Sequence, residues 1–99
     1  MKIVRVQYTT TPEFAPTNMV NIAGIVKELQ ELHYDGIKYG TWILPDGKTF
    51  MHFDQFETED DHKLLTSLAS FKKFDTELWA SGLEAEPKLD VLSLVAMKD

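Results

Sequence analysis

The stretch Gly36–Glu57, GIKYGTWILPDGKTFMHFDQFE, sets two β-rich runs on either side of one turn signal, Pro45-Asp46-Gly47. Pro45 presets φ for the first turn position, Asp46 suits the second, and Gly47 takes the left-handed conformation that closes a three-residue hairpin loop. This closure pairs Leu44 with Lys48. It predicts Trp42 opposite Phe50, Thr41 opposite Met51, Gly40 opposite His52, Tyr39 opposite Phe53 and Lys38 opposite Asp54. Side chains alternate along a strand, so Lys38, Gly40, Trp42, Phe50, His52 and Asp54 are expected on one face, with Ile37, Tyr39, Thr41, Ile43, Met51 and Phe53 on the other. Both faces carry apolar groups, whereas a hairpin with one wet side alternates more cleanly. Both sides of the sheet are therefore expected to be covered.

The flanking segments supply the rest of one sheet and its helices. Lys2–Tyr8 is a strand, with Val4, Val6 and Tyr8 on one side and Ile3, Arg5 and Gln7 on the other. Val20, Ile22, Ile25, Val26, Leu29 and Leu32 recur at helical spacing between Pro16 and His33, and Asp35-Gly36 ends that helix. Thr58 caps a second helical region with Asp61 three residues on. Phe71, Phe74, Leu78 and Trp79 then form an amphipathic stripe that stops near Gly82, with Trp79 expected in the core. Lys88–Met97, just after Pro87, is the last strand.

This order, β-α-β-β-α-β, is the ferredoxin-like split unit, an α+β fold with one four-stranded antiparallel sheet. Residues 1–99 make a single domain. Right-handed crossovers return both helical segments to the same side of the sheet. The other side stays bare, so a homodimer with sheets face to face, a dimeric α/β barrel, is the expected cover.

Composition excludes several functions. There is no cysteine, hence no thiolate zinc site, iron–sulfur cluster or cysteine nucleophile. A net charge of -6 without a local Lys/Arg cluster argues against a nucleic-acid partner. MKIVRVQY is too short and interrupted for a signal peptide, and no apolar run reaches membrane length, so a cytoplasmic protein without a membrane partner is expected.

His52 is the candidate proton acceptor, because it is the one histidine the register places inside the sheet and imidazole titrates near neutral pH. Asp54 shares its face and can orient it, or pair with Lys38 across the strands, with Arg5 joining across a subunit interface. Tyr39 is the second candidate catalytic group. Trp42, Phe50, Phe53 and Arg5 are the candidate substrate-binding residues. His52 and Asp54 make only two metal ligands, and no third lies at a telling spacing, so no metal is expected. Each of these residues also has a structural role open to it: a hydrogen-bonded strand histidine for His52, dipole complementation at a helix end for His33, a solvated surface position for His62.

Several segments resemble the dimeric α/β-barrel proteins related to antibiotic-biosynthesis monooxygenases. They are Tyr8–Glu13 (YTTTPE), Gly36-Ile37-Lys38-Tyr39, Asp46–His52 (DGKTFMH), Phe56-Glu57, Leu65–Phe74 (LTSLASFKKF) and Pro87. The resemblance spans nearly the whole chain, mostly through packing positions. It implies either cofactor-independent oxygenation of an aromatic substrate or haem degradation. The haem pattern places Asn on the first strand, where this chain has Arg5 and Gln7, and His where it has Leu65, with His62 three residues early. No cofactor is therefore expected. The resemblance implies a cofactor-independent monooxygenase, or a related acid/base enzyme, on a small hydrophobic ligand. The alternative is a non-catalytic dimeric module that binds a ligand or partner protein.

Overall fold

A computed structural model describes residues 1–99. Its elements run β1 (Lys2–Thr9), α1 (Ala15–Glu31), β2 (Ile37–Ile43), β3 (Thr49–Phe56), α2 (Glu59–Ser67), α3 (Ala69–Ala80) and β4 (Ala85–Leu92). The four strands form one antiparallel sheet in the order β2-β3-β1-β4. This is the ferredoxin-like arrangement, with the second helical segment split in two at Leu68.

Local chemistry accounts for the helix ends. Pro16 lies in the first turn of α1, where its missing N–H costs nothing. Beyond the end of α1, His33 adopts a left-handed φ of 50°. At α2, Thr58 accepts from the Asp61 N–H while the Asp61 carboxylate accepts from the Thr58 N–H, a complete capping box. Glu28 of α1 accepts from both the N–H and the hydroxyl of Ser70, tying α1 to the first turn of α3. The core fills the space between sheet and helices, with Val4, Tyr8, Phe50 and Phe56 from the strands meeting Ile22, Ile25, Leu65, Phe74 and Leu78.

The hairpin register differs from the expected one by a single residue. Leu44 pairs with Thr49, not Lys48, so the loop holds four residues. Asp46 causes the extra step: its carboxylate accepts from the N–H groups of Lys48 and Thr49 and from the Thr49 hydroxyl. Gly47, at φ 75°, completes the turn. A one-residue slip moves a whole strand's side chains to the other face. Tyr39 therefore stands opposite Asp54 and Thr41 opposite His52, while Gly40 faces Phe53 and Lys38 faces Gln55. The expected Lys38–Asp54 and Gly40–His52 pairs do not form.

The last strand also starts and stops earlier than expected. β4 begins at Ala85, and Glu86 and Pro87 bulge opposite Tyr8, between the Gln7–Lys88 and Thr9–Ala85 pairs. It ends at Leu92, which pairs with Ile3 near the start of β1. Residues 93–99 have no neighbouring strand within the chain and no regular structure. Leu94, Val95 and Met97 of this tail are exposed.

Candidate functional site

β1, β2 and β3 bring a polar cluster onto the helix-covered face of the sheet. His52 is buried at its centre, 4% exposed. Its Nε2 lies 2.7 Å from the Tyr8 hydroxyl, and its Nδ1 lies 3.0 Å from the Tyr39 hydroxyl and 3.1 Å from Thr41 Oγ1. Asn18 of α1 donates from Nδ2 to the Tyr8 oxygen at 2.8 Å. These contacts assign the tautomer. The Tyr8 oxygen already accepts from Asn18, and its own proton has no other acceptor, so Tyr8 O–H donates to Nε2. Nδ1 then carries the ring proton and donates to Tyr39 or Thr41. Burial holds the imidazole neutral by lowering its pKa to about 4. Burial likewise pushes the Tyr8 and Tyr39 hydroxyls well above the ordinary tyrosine range, so both stay protonated.

Asp54 is the contrasting member. Only 8% exposed, it has a buried Oδ1 with no hydrogen-bond partner. Desolvation raises its pKa to about 7. A buried, unpartnered carboxyl is costly in a folded protein and is a candidate functional group.

The cluster borders a cavity of about 250 Å³ between the sheet and helices α2 and α3. Tyr8, Tyr39, His52 and Asp54 supply its polar wall, and Leu65, Phe71, Phe74 and Leu78 supply apolar surface from the helices. Asp75 and Trp79 of α3, both exposed, and His62 and Thr66 of α2 also line it. His62 stacks on Phe56 with ring centroids 4.6 Å apart, and its Nδ1 accepts from Lys2 Nζ at 3.2 Å. Burial and the adjacent ammonium both keep His62 neutral.

No protein-family model matches the chain, and no curated protein matches it. Solved structures do. One named antibiotic biosynthesis monooxygenase superposes with a TM-score of 0.81 at 11% identity, covering 97% of this chain and 100% of its own. The chain shares the ferredoxin-like fold of these structures. Rv0793 from Mycobacterium tuberculosis gives a TM-score of 0.79 at 11% identity, covering 99% and 98% of the two chains. PA3566 from Pseudomonas aeruginosa gives 0.77 at 18% identity, covering 96% and 94%. At these identities the likeness is one of backbone path.

Within this fold the expected site residues divide between the two sheet faces. His52, Asp54 and Tyr39 meet at the cavity. Phe50 shares their face but is buried against Tyr8, with ring centroids 5.6 Å apart, and does not line the cavity. Trp42, Phe53 and Arg5 lie on the opposite face: the slipped register carries Trp42 away from His52, and Phe53 and Arg5 pair with each other. Trp42 packs edge-on to Phe53 at 5.7 Å. A Cβ on Gly40 would sit 2.9 Å from the Trp42 ring, so glycine is what lets the indole lie along β2. Arg5 pairs with Asp90 at 3.6 Å and donates to Gln7, rather than reaching Asp54. Asp54 does not orient His52; the Tyr8, Tyr39 and Thr41 hydroxyls do. Trp79, expected in the core, is 52% exposed beside the cavity.

Tyr8, Asn18, Thr41 and Asp75 were not singled out from the sequence as site residues, and His62, expected at a solvated surface position, is half-buried at the cavity wall because its ring stacks on Phe56. Tyr8 carried a usable signal, since it ends the apolar face of β1. Its meeting with His52 depends on the β1–β3 register, for which no turn connects the strands directly.

Proposed function

We propose that the protein is a small-molecule enzyme whose cavity carries out acid/base chemistry of the cofactor-independent oxygenase kind, with Asp54 as the proton acceptor. The single observation that carries this reading is the unpartnered Asp54 carboxyl at the wall of an otherwise largely apolar cavity. A carboxyl titrating near 7 is present in both forms at neutral pH, where a general base works best. His52 cannot take that role as placed, because protein hydroxyls hold both its nitrogens. Its part is to position Tyr39. With Nδ1–H donating to the Tyr39 oxygen, the Tyr39 proton is free to stabilise an oxyanion in the cavity.

The chemistry needs little else from the chain. Asp54 takes a proton from an electron-rich phenol or carbon acid, and the resulting anion reacts with dioxygen. For a methylene substrate, one oxygen atom enters the carbon as C=O and the other leaves with both hydrogens as water. The substrate supplies all four electrons, and the apolar walls exclude competing water. The fold shared with structures named antibiotic biosynthesis monooxygenase supports this reaction class. The test is oxygen uptake across a panel of small electron-rich phenols and 1,3-dicarbonyl compounds. Turnover should be lost in Asp54→Asn and reduced in Tyr39→Phe; uptake by Asp54→Asn equal to the parent would refute the assignment.

We further infer a homodimer through the open sheet face. Ile3, Met51, Phe53, Leu92 and the 60%-exposed Trp42 share that face, and no helix of the chain covers it. A second copy buries it with the sheets facing, and the apolar 93–97 tail gains a surface to pack on.

A further inference from the structure

Resting on the reading of the cavity as a small-molecule site, we propose that its substrate is a cationic aromatic, an amine whose ammonium group meets Asp54 with its ring among the aromatic side chains Phe71, Phe74 and Trp79. The lining contains two carboxylates and no lysine or arginine. Asp54 is more than nine-tenths buried and its Oδ1 lacks any partner, so a hydrogen-bond donor from the ligand removes a standing cost of the folded state. An ammonium is the strongest such donor and brings the compensating charge. Aromatic faces flank the same space and favour cations as well as rings. A carboxylate or phosphate would meet Asp54 and Asp75 with nothing opposite in sign to offset them. A volume of about 250 Å³ suits one ring with a short side chain.

The charge also sets the state of Asp54. An ammonium beside Asp54 favours its ionised form, which completes the ion pair. Of the other titratable groups on the cavity wall, Tyr8 from β1, Tyr39 from β2, His52 beside Asp54 on β3 and His62 from α2 are neutral at pH 7, Asp75 from α3 is a second acidic side chain that attracts a cation, and β4 contributes Pro87 and Leu89.

Three probes of matched size separate the possibilities: benzylamine, benzyl alcohol and benzoate, each titrated into the intact protein by calorimetry. Benzylamine should bind about tenfold tighter than benzyl alcohol, and benzoate should bind weakest. The affinity of benzylamine should rise about thirtyfold from pH 5.5 to 8 as Asp54 ionises. Asp54→Asn should abolish the amine advantage while benzyl alcohol still binds, and Asp75→Asn should reduce it. Equal binding of benzoate, an amine advantage that survives Asp54→Asn, or no binding of any probe would overturn the proposal. Oxygen uptake separates it from the catalytic reading: Asp54-dependent uptake on neutral phenols without amine selectivity overturns this inference alone, and amine selectivity without uptake on any substrate overturns the oxygenase alone.

Discussion

Tyr39 stands opposite Asp54 in the β2–β3 ladder, and its hydroxyl lies 3.0 Å from His52 Nδ1. The residue that meets the bound histidine is thus the cross-strand neighbour of the unbound carboxyl. One hydrogen-bonded chain, Asn18 to Tyr8 to His52 to Tyr39, ends beside the buried acid of the cavity wall, whose Oδ1 lacks a partner.

The chain of bonds makes Tyr8 a structural keystone. Tyr8→Phe removes the donor to His52 Nε2 and the only side-chain partner of Asn18, whose Oδ1 is already unpartnered. Leaving these buried groups unpaired should cost about 1–3 kcal/mol, read as a lower midpoint in urea with an unchanged slope.

His52 and Asp54 should show opposite pH dependences of stability. The His52 pKa falls from 6.5 to about 4 on folding, so between those values the unfolded chain binds more protons and stability rises with pH. The Asp54 pKa rises from 3.8 to about 7, so over that range the folded chain binds more protons and stability falls with pH. Each slope is about 1.4 kcal/mol per pH unit, so the two largely cancel between pH 4 and 6.5. Denaturant titrations should therefore show a rising profile in Asp54→Asn, a falling one in His52→Gln and a flatter one in the parent. Asp54→Asn should also be more stable than the parent at pH 8, because it removes a buried charge without a partner.

These residues also show where the sequence was legible. Element order, the sheet's antiparallel form and the capping box at Thr58 follow from periodicity and capping residues, all local signals. The hairpin faces did not, because they hang on one count. By its residue type Asp46 suits the second position of a three-residue loop, whereas its carboxylate stabilises a fourth residue, and that single step puts Tyr39 rather than Trp42 beside His52. The end of β4 was missed for a different reason. Its apolar pattern continues to Met97, but β1 offers no partner beyond the Ile3–Leu92 pair. The contacts of His62 and Asp75 with the cavity depend on how α2 and α3 sit over the sheet, which periodicity alone does not specify.

The open sheet face carries the assembly prediction. Light scattering at micromolar concentration should give the mass of two chains, and Trp42→Lys should shift it toward one while leaving the far-ultraviolet spectrum unchanged. A monomeric mass for the parent would contradict the face-to-face pairing.

The capping box at Thr58 holds the start of α2, which brings His62 and Leu65 to the cavity. Thr58→Ala should destabilise the fold by about 1 kcal/mol, visible as a lower thermal midpoint.

Everything proposed for the cavity rests on Asp54 being a desolvated, unpartnered carboxyl that exchanges a proton at neutral pH. Carbon-13 NMR of its side-chain carboxyl, followed across a pH titration and assigned by comparison with Asp54→Asn, reads this without any substrate. The account predicts a midpoint near 7; a midpoint close to the ordinary aspartate value of 3.8 would contradict it.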